Sequence, residues 1–259
     1  MPRFAANLTM MFTEHAFPDR FAAAAEAGFD AVECLFPYAI PAGALGDLLG
    51  RLGLEQALFN LAPGDWEAGD RGLAACPGRF AELEASVGLG LDYAEATGAG
   101  RVHMMAGMAD SRDPEALAAF RRALDHAAPR CAERGVELLL EPINGRSMPG
   151  YFLNDFGLAE RLIAEAGHPN VRLQYDVFHR QILHGDIAMS FERLLPLIGH
   201  VQVASVPSRH EPDGEELNFP WLFARMDAAG YRGFTGCEYM PRAGTLAGLG
   251  WFAPYRRRA

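Results

Sequence analysis

Cysteine is sparse in this chain, and its four copies, Cys34, Cys76, Cys131 and Cys237, form no C-x-x-C pair. A disulfide framework is therefore not expected, and a reducing cytoplasm is the natural setting. No apolar run approaches the ~20 residues of a membrane span. The N-terminus has no long apolar core behind a basic patch, so neither membrane association nor a signal peptide is expected. Nucleotide-binding signatures are missing too. No G-x-G-x-x-G follows a strand-like run, and no G-x-x-x-x-G-K-[ST] occurs. Nor does G-x-S-x-G, and Ser147 and Ser205 lack an evident His/Asp arrangement, which leaves serine hydrolysis unsupported. Positive charge is in deficit: 23 Lys and Arg face 33 Asp and Glu, a formal net charge of −10. That balance argues against nucleic acid as a partner while allowing a local basic pocket. The one basic cluster, Arg256-Arg257-Arg258, reads as a solvated tail.

What is present is a repeat of strand-like and helix-like stretches. Eight strand-like runs are expected at Arg3–Leu8, Asp30–Leu35, Glu55–Asn60, Arg101–Ala106, Val136–Glu141, Val171–Asp176, His200–Ala204 and Phe234–Tyr239. Helical stretches lie between them. Five (Phe17–Ala27, Arg79–Thr97, Pro114–Arg134, Asp155–Ala166 and Phe219–Ala229) stop at a glycine that a strand soon follows. Asp113-Pro114-Glu115 supplies an N-cap and an N1 proline for the longest. Eight βα units in 259 residues are the size of one α/β (β/α)8 TIM barrel, expected to span residues 1–259 as a single domain.

Chemistry concentrates where strands five to eight end. Val136-Glu-Leu-Leu-Leu140 reads as a strand buried on both faces, stopped at Glu141 by Pro142. A carboxylate there is costly unless something pairs with it. Asp176, Gln202 and Glu238 end the next three strands at intervals of 35, 26 and 36 residues. Four oxygen-bearing side chains on successive parallel strands converge on one point. Such a set suits a hard divalent cation, Mg²⁺ or Mn²⁺, where Zn²⁺ more often brings in histidine or cysteine.

Further candidates surround that point. His179, three residues past Asp176, can return toward it through a strand-to-loop turn. His103 in the fourth strand can touch substrate, whereas His200 lies deeper and reads as structural. The long loop Leu61–Gly78 either closes over the site, with Trp66 and Arg71 reaching inward, or packs on itself alone. The loop Ser205–Asn218 carries Arg209, His210, Glu211 and Glu215 beside the expected metal.

These residues resemble the bacterial hydroxypyruvate isomerase family among the xylose-isomerase-like barrels. The resemblance is carried by Arg3–Glu14, Phe36-Pro-Tyr38, Pro63-Gly-Asp65, Leu140-Glu-Pro-Ile-Asn144, Gln174-Tyr-Asp176 with His179, Arg209-His-Glu-Pro212 and Gly236-Cys-Glu-Tyr239. It implies a divalent-metal aldose–ketose isomerase interconverting hydroxypyruvate and tartronate semialdehyde, with a 2-oxo-tetronate as the alternative substrate, Glu141 and Glu238 as proton-transfer groups, and Asp176 and Gln202 completing the metal shell. Arg209 and His179 are then the groups for the substrate carboxylate. Sugar epimerases on this barrel tend to have histidine at the Gln202 position, which makes an epimerase substrate less expected. A similar branch acts on 2-oxo-tetronates. The N-terminal third leans toward it and Glu141-Pro-Ile-Asn144 toward hydroxypyruvate isomerase. The implied partner is a small hydroxy or oxo acid, and homo-oligomer formation stays open. Two other readings stand further back. An abasic-site endonuclease would want histidine-rich zinc ligands and a basic groove, and a non-catalytic sugar-acid binder would not need both glutamates.

Overall fold

The computed structural model describes residues 2–256. Eight parallel strands close into a barrel in sequence order, from β1 (Arg3–Asn7) to β8 (Phe234–Cys237), and β8 pairs with β1. Between them run β2 (Ala31–Cys34), β3 (Glu55–Asn60), β4 (Arg101–His103), β5 (Glu137–Leu140), β6 (Val171–Asp176) and β7 (Ile198–Val203). Several strands are shorter than the apolar runs suggested. β4 stops at His103 and β5 at Leu140, so Glu141 is the first residue past its strand and Glu238 the first past β8. Ladder hydrogen bonds end there, and side chains just beyond turn into the mouth of the barrel.

The helices form because their apolar faces recur at helical spacing. In α4 (Pro114–Glu133), Ala116, Phe120, Ala123, Leu124, Ala127, Ala128 and Cys131 are buried along one face. Asp113 caps that helix by accepting from the Glu115 amide at 2.9 Å. α5 (Phe156–Ala166) is capped by Asp155 in the same way, through Leu158 N at 2.7 Å. Gly28, Gly98, Gly135, Gly167 and Gly230, which end the five expected helices, all have positive φ. The remaining outer helices are α1 (Asp19–Glu26), α2 (Ala42–Leu52), α3 (Phe80–Thr97), α6 (Val177–Leu183), α7 (Ile187–Leu194), α8 (Phe219–Ala228) and the single turn α9 (Thr245–Gly248). A 3₁₀ helix, Leu249–Tyr255, brings Trp251, Phe252 and Tyr255 onto Phe4 of β1, with ring centroids 5.1, 6.0 and 5.1 Å away. Of the C-terminal basic cluster, Arg256 sits over Phe252, while Arg257 and Arg258 lie outside the described residues. Among the described residues no helix is long and apolar enough to cross a membrane.

Candidate active site

Strand register brings the candidate acids together. Asp176 of β6 is level with Gln202 of β7, and Gln202 with Gly236 of β8. At the C-terminal mouth lies a cavity of about 160 Å³, lined by Glu141, Gln202, Glu238, His179, Arg209, His103 and Trp66. Asp176 is fully buried just behind this lining. Its Oδ1 accepts from Phe178 N at 2.7 Å, which makes it the N-cap of α6. His179 thus stands in the first turn of a short helix instead of the expected strand-to-loop turn. The capping geometry turns its imidazole back over Asp176, with Nε2 3.5 Å from Oδ2.

Burial and like charge set the protonation of these acids. Glu141 is held well above the ordinary carboxylate range by burial and then by Glu238 and Asp176, with Arg209 opposing. Burial also raises Glu238 to about 8 and Asp176 to about 6, and in both the Arg209 charge works the other way. Arg209 Nη2 is 2.7 Å from Glu238 Oε1 and 3.7 Å from Asp176 Oδ2. Burial disfavours its charge, but the three carboxylates more than compensate and raise it. Burial takes His103 down to about 3, a neutral ring 3.5 Å from Glu141 Oε2.

The tautomer of His179 can be worked out from its neighbours. Asn144 Oδ1 accepts from the Arg146 and Ser147 amides, both at 3.0 Å, so its NH₂ faces His179 Nδ1 at 2.6 Å. Asn144 N also donates to Nδ1, at 3.3 Å. Nδ1 is therefore an acceptor, and the proton is on Nε2. Burial, then Arg209, hold the ring well below its ordinary value, so it is neutral. His179 lines the cavity, and its Nε2–H, beside Asp176 Oδ2, can donate to an oxygen there.

A metal ion fits this chemistry. Glu141, Asp176 and His179 bring carboxylate oxygens and a ring nitrogen within 4.8 Å of one another; with the His179 proton on Nε2, the two carboxylates are the atoms of this group that could hold an ion, with the imidazole beside it. Glu141 Oε1 and Asp176 Oδ2 are buried without a hydrogen-bond partner, a cost that a cation would remove. Glu238 and Gln202 line the same cavity, one against Arg209 and the other between Gln174 and Glu33.

The long loop after β3 combines both expected behaviours. Trp66 lines the cavity and meets Phe36 edge-on, with ring centroids 5.2 Å apart. Arg71 turns back on the loop, its guanidinium 3.8 Å from the Trp66 ring centre and its Nη1 on the Trp66 and Asp70 carbonyls. His210 is taken up by the Met240 carbonyl, 2.7 Å from Nδ1. The sequence reading passed over Glu33, Asn7, Gln174 and Asn60, all of which line the cavity. An acid inside the apolar run Ala31-Val-Glu-Cys34 was the available signal for Glu33.

A closed parallel barrel with an acid-lined cavity at the C-terminal mouth defines a TIM-barrel enzyme site. The chain belongs to the xylose isomerase-like TIM barrel family, which it matches over residues 21–255. It is 54% identical over 260 residues to the 2-oxo-tetronate isomerase of Cupriavidus necator, covering all of both chains. It is 38% identical to the hydroxypyruvate isomerase of Escherichia coli, covering 99% of this chain and all of the other. A crystal structure titled AP endonuclease, family 2, from Brucella melitensis superposes with a TM-score of 0.97 at 47% identity, covering 99% and 100% of the two chains. With relatives of this kind over its whole length, the protein is an isomerase.

Proposed function

We propose that the protein moves a carbonyl between C2 and C3 of a short hydroxy-oxo acid, with 2-oxo-tetronate ahead of hydroxypyruvate as substrate. One observation carries the reaction class: two buried glutamates, Glu141 and Glu238, line one small cavity together with a cation, Arg209. The full-length identity to a 2-oxo-tetronate isomerase supports the order of the two acids.

The isomerisation removes the proton on C3, passes through an enediolate and returns a proton to C2. It therefore wants two carboxyl groups beside one substrate. Lining one cavity, the two glutamates can take one proton from carbon and give one back. Glu141, Asp176, Gln202 and Glu238 are the residues we assign to a divalent cation, Mg²⁺ or Mn²⁺ by their oxygen chemistry. When bound, such an ion would draw the substrate's carbonyl and hydroxyl oxygens together and acidify the C–H bond. His179 offers Nε2–H, and His103 a neutral ring, to those oxygens. Arg209 would exchange part of its hold on Glu238 for the substrate carboxylate, a charge-assisted contact in a mostly buried setting. Trp66 closes the rim and excludes water. The four cysteines are free, which suits a reducing cytoplasm.

Nuclease activity, which the name of the Brucella structure would suggest, finds little support here. A 160 Å³ pocket holding Glu33, Glu141 and Glu238, in a chain of net charge −10, would repel a phosphate backbone. The deciding experiment is to incubate the purified protein with each acid and Mn²⁺ or Mg²⁺ and to follow products by NMR. Failure to isomerise either acid would refute the proposal, and a higher kcat/KM for hydroxypyruvate would reverse their order.

A further inference from the structure

Beneath the mouth, on β2, the buried Glu33 is held from three sides. Its Oε1 accepts from Asn7 Nδ2 at 2.9 Å and from Gln202 Nε2 at 2.8 Å, and its Oε2 lies 2.7 Å from His200 Nε2. β8 leaves room for it, since a Cβ at Gly236 would overlap the Glu33 carboxylate. Nothing in the proposed proton transfers uses this acid. Burying a carboxylate is costly, so its retention needs another reason.

We propose that Glu33 is a positioning residue that fixes which end of the Gln202 carboxamide faces the acid cluster. This deepens, and rests on, the reading of Gln202 as a metal ligand. The two ends of a carboxamide are nearly equal in size but opposite in chemistry: the oxygen can bind a cation and the NH₂ repels one. A carboxylate only accepts hydrogen bonds, so the end of Gln202 against Glu33 is the NH₂. The oxygen is then turned the other way, where it accepts from Gln174 Nε2 at 2.6 Å and keeps a second lone pair. Glu33 is itself fixed by a chain that reaches the backbone. Asn7 Oδ1 accepts from Thr9 N at 3.1 Å, which commits the Asn7 NH₂ to Glu33. Orientation passes from the Thr9 amide through Asn7 and Glu33 to Gln202. Because the committed Asn7 NH₂ and Gln202 share one Glu33 oxygen, a glutamine at position 33 would keep its own oxygen there; a side chain with no acceptor, such as leucine, would take the preference of Gln202 away.

The test is Mn²⁺ affinity of the full-length protein by titration calorimetry, with thermal unfolding recorded for every variant. Glu33→Leu should weaken Mn²⁺ binding by about 10–100-fold, the usual effect of removing a partner that orients a ligand. The double variant E33L/Q202E keeps the net charge and presents the cation with a carboxylate, whose two oxygens are equivalent, so affinity should recover. Loss without recovery would mean a general packing effect and would overturn the proposal. Gln202→Ala separates the two layers of the argument. If it weakens binding while Glu33→Leu does not, Gln202 is a ligand and Glu33 does not position it. If Gln202→Ala binds Mn²⁺ unchanged, the ligand assignment fails, and the proposal with it. Should Glu33→Leu not fold, N7A/E33Q keeps the volume at position 33 and frees its amide to turn either way. Weakened affinity then supports the proposal, and unchanged affinity overturns it.

Discussion

Stripped of divalent metal, the protein should unfold at lower temperature as pH rises from 6.5 to 8.5. The reason is the carboxyl cluster. Glu238 is raised from an ordinary 4.5 to about 8, and Glu141 well above 4.5, by burial and then by neighbouring charges. Above 4.5 the unfolded chain has released these protons while the metal-free fold still holds them. Stability therefore falls with rising pH until the folded values are passed. Buried His103 and His179 pull the other way through 6.5 and fade above it, because they are neutral in the fold and charged in the unfolded chain. Asp176, raised to about 6, is mostly ionised by then. From 6.5 to 8.5 the glutamates therefore outweigh the histidines. Glu238 alone contributes about 2 kcal/mol across this window. At roughly 2–4 °C per kcal/mol for a chain of this size, Tm should drop by about 4–8 °C. A bound cation displaces the same protons. Mn²⁺ should thus bind more tightly as pH rises, release protons, and raise Tm more at pH 8 than at 6.5. Calorimetry of the chelated protein, with Mn²⁺ titrations in buffers of different ionisation heat, measures both effects. A metal-free Tm that is flat or rising over this window, with no proton release on binding, would refute the reasoning.

Glu141→Gln and Glu238→Gln should each lower kcat by about 10²–10⁴-fold, with bound Mn²⁺ measured separately because both are assigned to the metal. Near-normal turnover with metal bound would remove that residue from proton transfer. Arg209→Ala should raise KM for the 2-oxo acids by roughly tenfold to a hundredfold, as expected for a lost charge-assisted contact. An equal change for a neutral ketose would show that Arg209 does not hold a carboxylate. Gly236→Ala places a methyl against the Glu33 carboxylate, and denaturant unfolding should show a loss of about 1–3 kcal/mol. Asp113→Ala removes the α4 cap, which is not part of the cavity lining, and should cost about 1 kcal/mol and leave kcat/KM unchanged.

The sequence was most informative where one residue's chemistry clashed with its surroundings. Glu141 after three leucines, and Asp176, Gln202 and Glu238 at later strand ends, pointed to the barrel mouth before any coordinates. The five helix-stop glycines marked the repeat. What stayed hidden depends on contacts across the barrel. Glu33 and His200 are 167 residues apart and meet at 2.7 Å, a pairing fixed by strand register and closure that no local pattern encodes. α2 was not singled out either; three glycines, Gly43, Gly46 and Gly50, interrupt its helical pattern. His179 was placed in a turn because the capping role of Asp176, which starts α6, comes from backbone geometry more than from composition.

The ring is sealed late. β8 must reach β1 across the whole chain, and the aromatic seal over Phe4 comes from Trp251, Phe252 and Tyr255. Asn7 and Glu33, near the start, share one polar web with Gln202, and Glu238 completes the mouth above it. A ribosome-bound chain that still lacks β8 therefore carries scattered acids and no site. A cation of the kind proposed for this site would meet an open set of carboxylates until translation is nearly complete, and a complete pocket only after closure. Its loading would thus belong to the finished protein and not to the growing chain.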